Sequence, residues 1–299
     1  MSRDSGTSFP DWPTGLAQAL DRLAIAAHHP ARGQHAGAVG SRQRGRALEF
    51  ADYRAYSPGD DPKLVDWRAY TRLDRLYLKQ YDEERARTVT LLVDVSGSLN
   101  WGAGDAHKGR YARRLAAALA WVALGRLEPV RVCLLREGAA TWLPPTAVRP
   151  ALASLFQGLG DVREAGRTDL AAAVRAALAG RRSRGPDILL TDLLDPTWRE
   201  ALESLAGRGE GVVLQLLAPD EWDPPLGDEV ELEDVETGEL RPTRLGPVEL
   251  ARYHGQLHAL LAEAREYCRR RNLLYAALTT GSPLQEVLLR QLPAAGVLV

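Results

Sequence analysis

"LLVDVSGSLNWG", Leu91 to Gly102, decides the fold. Its first half is apolar without alternation, the pattern of a strand buried on both faces. Its second half turns abruptly polar, with a carboxylate at Asp94 and hydroxyls at Ser96 and Ser98. A strand covered on both sides belongs to a mostly parallel sheet flanked by helices. In such sheets, ligands bind beyond the carboxyl ends of the strands, which is where this polar triplet falls.

The pattern continues outward from that stretch. Strands are predicted at "TVTLLVDVS", "PVRVCLLRE", "PDILLTD", "GVVLQLLAP" and "LLYAALTT". Helices are predicted at "KGRYARRLAAALAWVALGRL", "VRPALASLFQGL", "TDLAAAVRAALAG", "PTWREALESLAGR" and "GPVELARYHGQLHALLAEAREYCRRRN". Their alternation gives an α/β, doubly wound, mostly parallel sheet with helices on both faces over residues 88–299. An acidic insertion at about 219–245, "DEWDPPLGDEVELEDVETGELRPTRL", reads as a small solvated hairpin turning at Glu236-Thr237-Gly238-Glu239.

Residues 1–87 read as a smaller α+β segment packed on that domain. "GLAQALDRLAIAAHH" has helical spacing, "PARGQHAGAVGSRQRGR" reads as a solvated loop, and "ALEFADYRAY" and "RLYLKQYDEE" as strands. Between those strands, "SPGDD" is a turn and "DPKLVDWRAYTRL" a short helix, with Asp61 as cap and Pro62 in the first turn.

Composition narrows the function classes. The 299 residues carry 38 Lys and Arg against 39 Asp and Glu, with a pI near 6.6. That balance gives no general attraction for nucleic acid or an anionic membrane. The Arg-rich loop (Arg32, Arg42, Arg44, Arg46, with His28, His29 and His35) lacks the interleaved aromatics of a nucleic-acid surface. With no leader-like or membrane-spanning apolar run, the expectation is a cytoplasmic protein. Cys133 and Cys268, far apart and without metal-ligand spacing, read as buried reduced thiols. His107 reads as an exposed residue.

Asp192 ends another apolar strand, and Thr168 opens a preceding helix, so three segments bring oxygen donors to one sheet edge. Carboxylates and hydroxyls without His or Cys suit a hard cation, Mg²⁺ or Mn²⁺. Hydroxyl ligands leave that ion electrophilic and open to an acid from outside. The same polar triplet alone could serve only as a helix cap. The chain lacks a G-x-x-x-x-G-K-[ST] phosphate loop, a G-x-S-x-G elbow, and a second Asp two residues after Asp94 for proton transfer.

Asp94-Val95-Ser96-Gly97-Ser98, Thr168 and Asp192 resemble the metal-ion-dependent adhesion site of von Willebrand factor A domains. The resemblance implies direct metal binding by Ser96 and Ser98, binding by Thr168 directly or through water, and contact from Asp94 and Asp192 mainly through waters. It also implies that a partner's carboxylate completes the shell. The stretch "RGRALEFADYRAYSPGDDPKLVDWRAYTRLDRLYLKQYDEERARTVTLLVDVSGSL" resembles the bacterial family named domain of unknown function fifty-eight. Matching positions are Glu49, Phe50, Arg54, Tyr56, Gly59, Asp60, Asp61, Asp66, Trp67, Lys79 and Glu84. Genes of that family often lie beside those for MoxR-type AAA+ ATPases, which implies an adaptor role. Arg54, Tyr56, Asp60, Asp61, Asp66 and Trp67 are candidates for a partner-binding surface, or for docking their segment on the sheet. The expectation is a non-enzymatic interaction module. The alternatives are a divalent-metal phosphohydrolase using Asp94, and an assembly subunit whose metal site is vestigial.

Overall fold

The computed structural model describes residues 9–26, 49–56, 65, 70, 75–82, 87–180, 185–224, 227–233 and 240–299, with backbone alone for strands 49–55, 77–82, 227–233 and 240–245. By contact, the chain forms two compact units, Met1–Pro30 with Arg87–Val299, and Ala31–Ala86. In the smaller unit, β1 (Glu49–Ala55) pairs antiparallel with β2 (Tyr77–Asp82), with a bulge between Phe50 and Asp52. The expected turn and helix between these strands, and the Arg-rich loop before them, lie outside the described residues apart from Val65 and Tyr70.

The larger unit is built on β3 (Val89–Asp94), β4 (Val130–Arg136), β5 (Ala139–Trp142), β6 (Asp187–Thr191) and β7 (Gly211–Leu217). The paired strands β8 (Gly227–Glu233) and β9 (Leu240–Leu245) form the expected hairpin before β10 (Leu274–Thr279) closes the sheet. The hairpin's turn, including Glu236-Thr237-Gly238-Glu239, lies outside the described residues. The six-stranded sheet runs β10-β7-β6-β3-β4-β5 and is parallel except for β5. The edge strand β5 is not predicted by its sequence, because "AATW" is short and half exposed and carries no buried-strand signal.

Helices cover both faces, as the uninterrupted apolar strands require. Leu91, Val93, Ile188, Leu190, Leu214 and Leu216 pack against α2 (Lys108–Gly125), α3 (Leu152–Gly160) and the C-terminal helical run from Leu284 to Ala294. Their neighbours Leu92, Leu189 and Val213 face the other way, onto α4 (Leu170–Leu178), α5 (Trp198–Ala206) and the long helix Pro247–Arg270. Both layers therefore alternate along each strand, and each fully buried Leu contributes about 1.5–3 kcal/mol of transfer free energy. Cys133 and Cys268 lie buried as thiols in this second layer.

The N-terminal boundary differs from the expected division at 87. Only Leu16–Leu20 of the anticipated helix is helical (α1), and its Leu16 and Leu20 join the core of the larger unit. Ile25 instead pairs antiparallel with Leu298, flanked by backbone bonds between Ala24 and Val299. An extended end pairing with the chain's other terminus wins over local helical spacing because it buries Ile25. No described helix is long and apolar enough to cross a membrane.

Candidate functional site

The chain leaves β3 through α2 on one face to reach β4. It leaves β6 through α5, and β7 through the long helix Pro247–Arg270, on the other face. Neighbouring strands β3 and β6 therefore mark the point where the winding reverses, and their carboxyl ends open a crevice. Asp94 is the last residue of β3, and Asp192 follows the last residue of β6.

Asp94 is buried and fully hydrogen-bonded. Its Oδ1 accepts from the Ser96 amide at 3.0 Å and from Ser96 Oγ at 2.7 Å, while Oδ2 accepts from Thr191 Oγ1 at 2.8 Å. Ser96 Oγ lies 3.1 Å from Ser98 Oγ, and Ser98 is the more open of the two. Burial, and next the negative charge of Asp192, push Asp94 up to about 6 although these donors pull the other way. A carboxylate so placed is short of positive charge.

Asp192 is equally enclosed. Its Oδ1 accepts from the Leu194 amide at 3.1 Å, and its Oδ2 from Lys108 Nζ at 2.9 Å. Lys108, in the first turn of α2, also reaches Glu221 Oε1 at 2.7 Å. Glu221 sits on the short helix α6 (Pro219–Trp222), where its Oε2 accepts from the Ala218 amide at 2.7 Å. Burial opposes the Lys108 charge, but Asp192 and Glu221 outweigh it and hold the ammonium above the ordinary lysine value. Burial raises Glu221 against the pull of Lys108. Gln215, buried in β7, donates to the Asp192 carbonyl at 2.8 Å and accepts from Tyr275 at 2.6 Å, fixing the backbone beneath.

Thr168 comes to the same edge through its loop. Ala165 donates to the Val95 carbonyl and Gly97 to the Gly166 carbonyl, so residues 165–166 run directly beside the Asp94–Ser98 turn. On the other side, the Glu137 amide donates to the Arg167 carbonyl. Half-buried Thr168 follows, and Asp169 caps α4 by accepting from the Ala172 amide at 2.9 Å.

The structure thus gathers Asp94, Ser96 and Ser98 in one hydrogen-bonded set, with Asp192 close enough to perturb Asp94 and the Thr168 loop bonded alongside. Among the described residues no three His, Cys, Asp or Glu side chains form a metal cage. An ion here must therefore draw on the hydroxyls. Two enclosed carboxylates, Asp94 and Asp192, beside two adjacent hydroxyls make a donor set that fits a hard divalent cation, and the half-buried Glu221 adds negative charge through Lys108.

Thr191, Lys108, Glu221 and Gln215 were not foreseen. Thr191 was within reach of the sequence, standing just before Asp192 in "DILLTD". Lys108 was not, because its partners lie 84 and 113 residues away. His107, expected to be exposed, is half-buried and caps α2: its Nδ1 accepts from the Arg110 amide at 3.2 Å, and burial lowers its pKa. Of the six candidates for partner binding, Asp60, Asp61, Asp66 and Trp67 lie outside the described residues. Arg54 is on β1 with backbone alone, and Tyr56 is half-buried after it.

A sequence profile of DUF58, described as a protein family of unknown function, matches residues 52–250. The chain belongs to the DUF58 family. This DUF58 chain is 28% identical over 219 residues to uncharacterized proteins of Mycobacterium bovis and Mycobacterium tuberculosis, covering 72% of itself and 68% of each relative. A stretch of 77 residues is 38% identical to an uncharacterized protein of Mycobacterium avium, covering 25% of this chain and 45% of that one. Solved structures similar to it include BatB of Bacteroides thetaiotaomicron, with 17% identity, TM-score 0.42, and coverage of 70% of this chain and 98% of that one. Another is a von Willebrand factor type A protein of Catenulispora acidiphila, with 16% identity, TM-score 0.35, and coverage of 69% and 42%.

Proposed function

We propose that this chain is a cytoplasmic, non-enzymatic protein-binding module whose divalent-metal site, for Mg²⁺ or Mn²⁺, captures an acidic side chain of a partner. Asp94, Ser96, Ser98, Thr168 and Asp192 hold the ion. The observation that carries this reading is the hydrogen-bonded Asp94–Ser96–Ser98 set, enclosed with excess negative charge at the point where the sheet's winding reverses. Such a set gives up an open coordination position to an incoming carboxylate.

A phosphohydrolase would need Asp94 free to attack. Both its oxygens are engaged and the residue is 1% exposed, which weighs against a nucleophile. The family resemblance supports a MoxR-type AAA+ ATPase, or that ATPase's substrate, as the partner. Wild-type protein used as bait in Mg²⁺, wild type in chelator, and Ser96→Ala/Ser98→Ala in Mg²⁺ test the proposal. Retention of such an ATPase in the first condition alone is expected. The same partner in all three would overturn metal-gated binding, and phosphate-ester turnover lost in Asp94→Asn would favour an enzyme.

A further inference from the structure

Lys108 is a costly residue for its location. Its side chain is 1% exposed, and its Nζ is shared between Asp192 Oδ2 and Glu221 Oε1 at 2.9 and 2.7 Å. Apolar residues of similar volume would fill the space with no charge to desolvate. The ammonium also reaches across elements, joining the first turn of α2 to the end of β6 and the helix after β7. Glu221 is held rigid for that contact: its carboxylate accepts from Ala218, and its carbonyl accepts from Tyr253 at 2.6 Å.

We propose that Lys108 is a fixed internal cation that determines which ions the site accepts, keeping the metal-loaded site near neutral so that a partner's carboxylate is not repelled. This rests on the metal-dependent binding proposed above. With Asp94, Asp192 and Glu221 ionised and Lys108 charged, these four side chains together carry a formal charge of −2. A divalent ion brings it to zero. Without the lysine, the same set holds the metal more strongly but stays negative once loaded, and an incoming carboxylate meets repulsion. Lys108 thus trades cation affinity for anion acceptance. A purely packing role would not move those two properties in opposite directions.

The test uses the full chain with Mn²⁺ alone as the cation and acetate as the carboxylate. Free Mn²⁺ is measured by electron paramagnetic resonance, and acetate binding at saturating Mn²⁺ by loss of water proton relaxation enhancement. Lys108→Met should bind Mn²⁺ about tenfold more tightly and acetate several-fold more weakly than wild type. Glu221→Gln, which is isosteric and loses one negative charge, should shift both in the reverse sense. It also decides the matter should circular dichroism show that Lys108→Met does not fold. Shifts within twofold in the folded variants, or shifts of the same sign for both ligands, overturn the role of Lys108 while leaving the metal site standing. Wild type that binds no Mn²⁺ overturns both.

Discussion

Thr191 Oγ1 donates to Asp94 Oδ2 across 2.8 Å, so the last residue of β6 supports the carboxylate that ends β3. Thr191→Val keeps the shape and removes the donor. A buried carboxylate left one bond short should cost roughly 1.5–3 kcal/mol, measured by urea denaturation in chelator. Losing that bond also removes an influence that lowers the Asp94 pKa, so carboxyl NMR should show it rising further. An unchanged urea midpoint would mean the carboxylate finds another donor.

Stability in chelator should carry the signature of Asp94. Its folded pKa of about 6 exceeds the unfolded value of ~3.9, so the folded state binds this proton more tightly. The stabilisation from the protonated carboxyl is complete below about pH 4 and is lost as pH rises through about 6. At most about 3 kcal/mol is involved. The arginine-paired Asp21 has a lowered pKa and acts in the opposite sense, so the measurement is the difference between wild type and Asp94→Asn. That difference should fall from pH 4 to pH 7. Adding Mn²⁺ should restore it at neutral pH, because the ion binds the ionised form. A flat difference across this range would show an unperturbed Asp94.

Sheet and site were legible to different degrees for a physical reason. β3, β6 and β7 are apolar at every pleat bar the polar ends, Thr90 and Gln215, so burial on two faces is written locally. The five candidate ligands were legible because each stands at or just beyond an element end, where topology assigns function. Lys108 and Glu221 were not, because a buried ion pair between distant segments leaves no periodic mark in either. Ile25 misled for a related reason: its helical spacing is genuine, and only its pairing with Leu298 overrides it.

Gly166 is where the Thr168 loop passes between two walls. Its φ is +83°, and a Cβ there would fall 2.4 Å from Glu137 Oε1. The exposed Glu137 side chain can swing clear of that overlap, but the left-handed strain stays, so Gly166→Ala should cost roughly 1–2 kcal/mol. Because the Gly166 carbonyl accepts from Gly97, the displacement passes to the serine turn, and Mn²⁺ affinity should drop several-fold. Loss of stability with full Mn²⁺ affinity would show that the loop contributes nothing to the ion.

At the opposite end of β3, Arg87 fastens the N-terminal residues to the sheet. Its guanidinium donates to the carbonyls of Ile25 and Ala26 at 3.1 and 2.8 Å, and pairs with Glu128 and Glu210 at 2.8 and 3.3 Å. Arg87→Met keeps the stem and abandons four acceptors, two of them charged. Partial exposure of the cluster limits the cost to roughly 2 kcal/mol. The effect should be local, because Asp94 and Ser96 lie at the other end of the strand. Thermolysin should then cleave within residues 9–26 much faster than in wild type, while Mn²⁺ affinity stays within twofold. Equal proteolysis rates would mean that Leu16, Leu20 and the Ile25–Leu298 pairing hold the segment without Arg87.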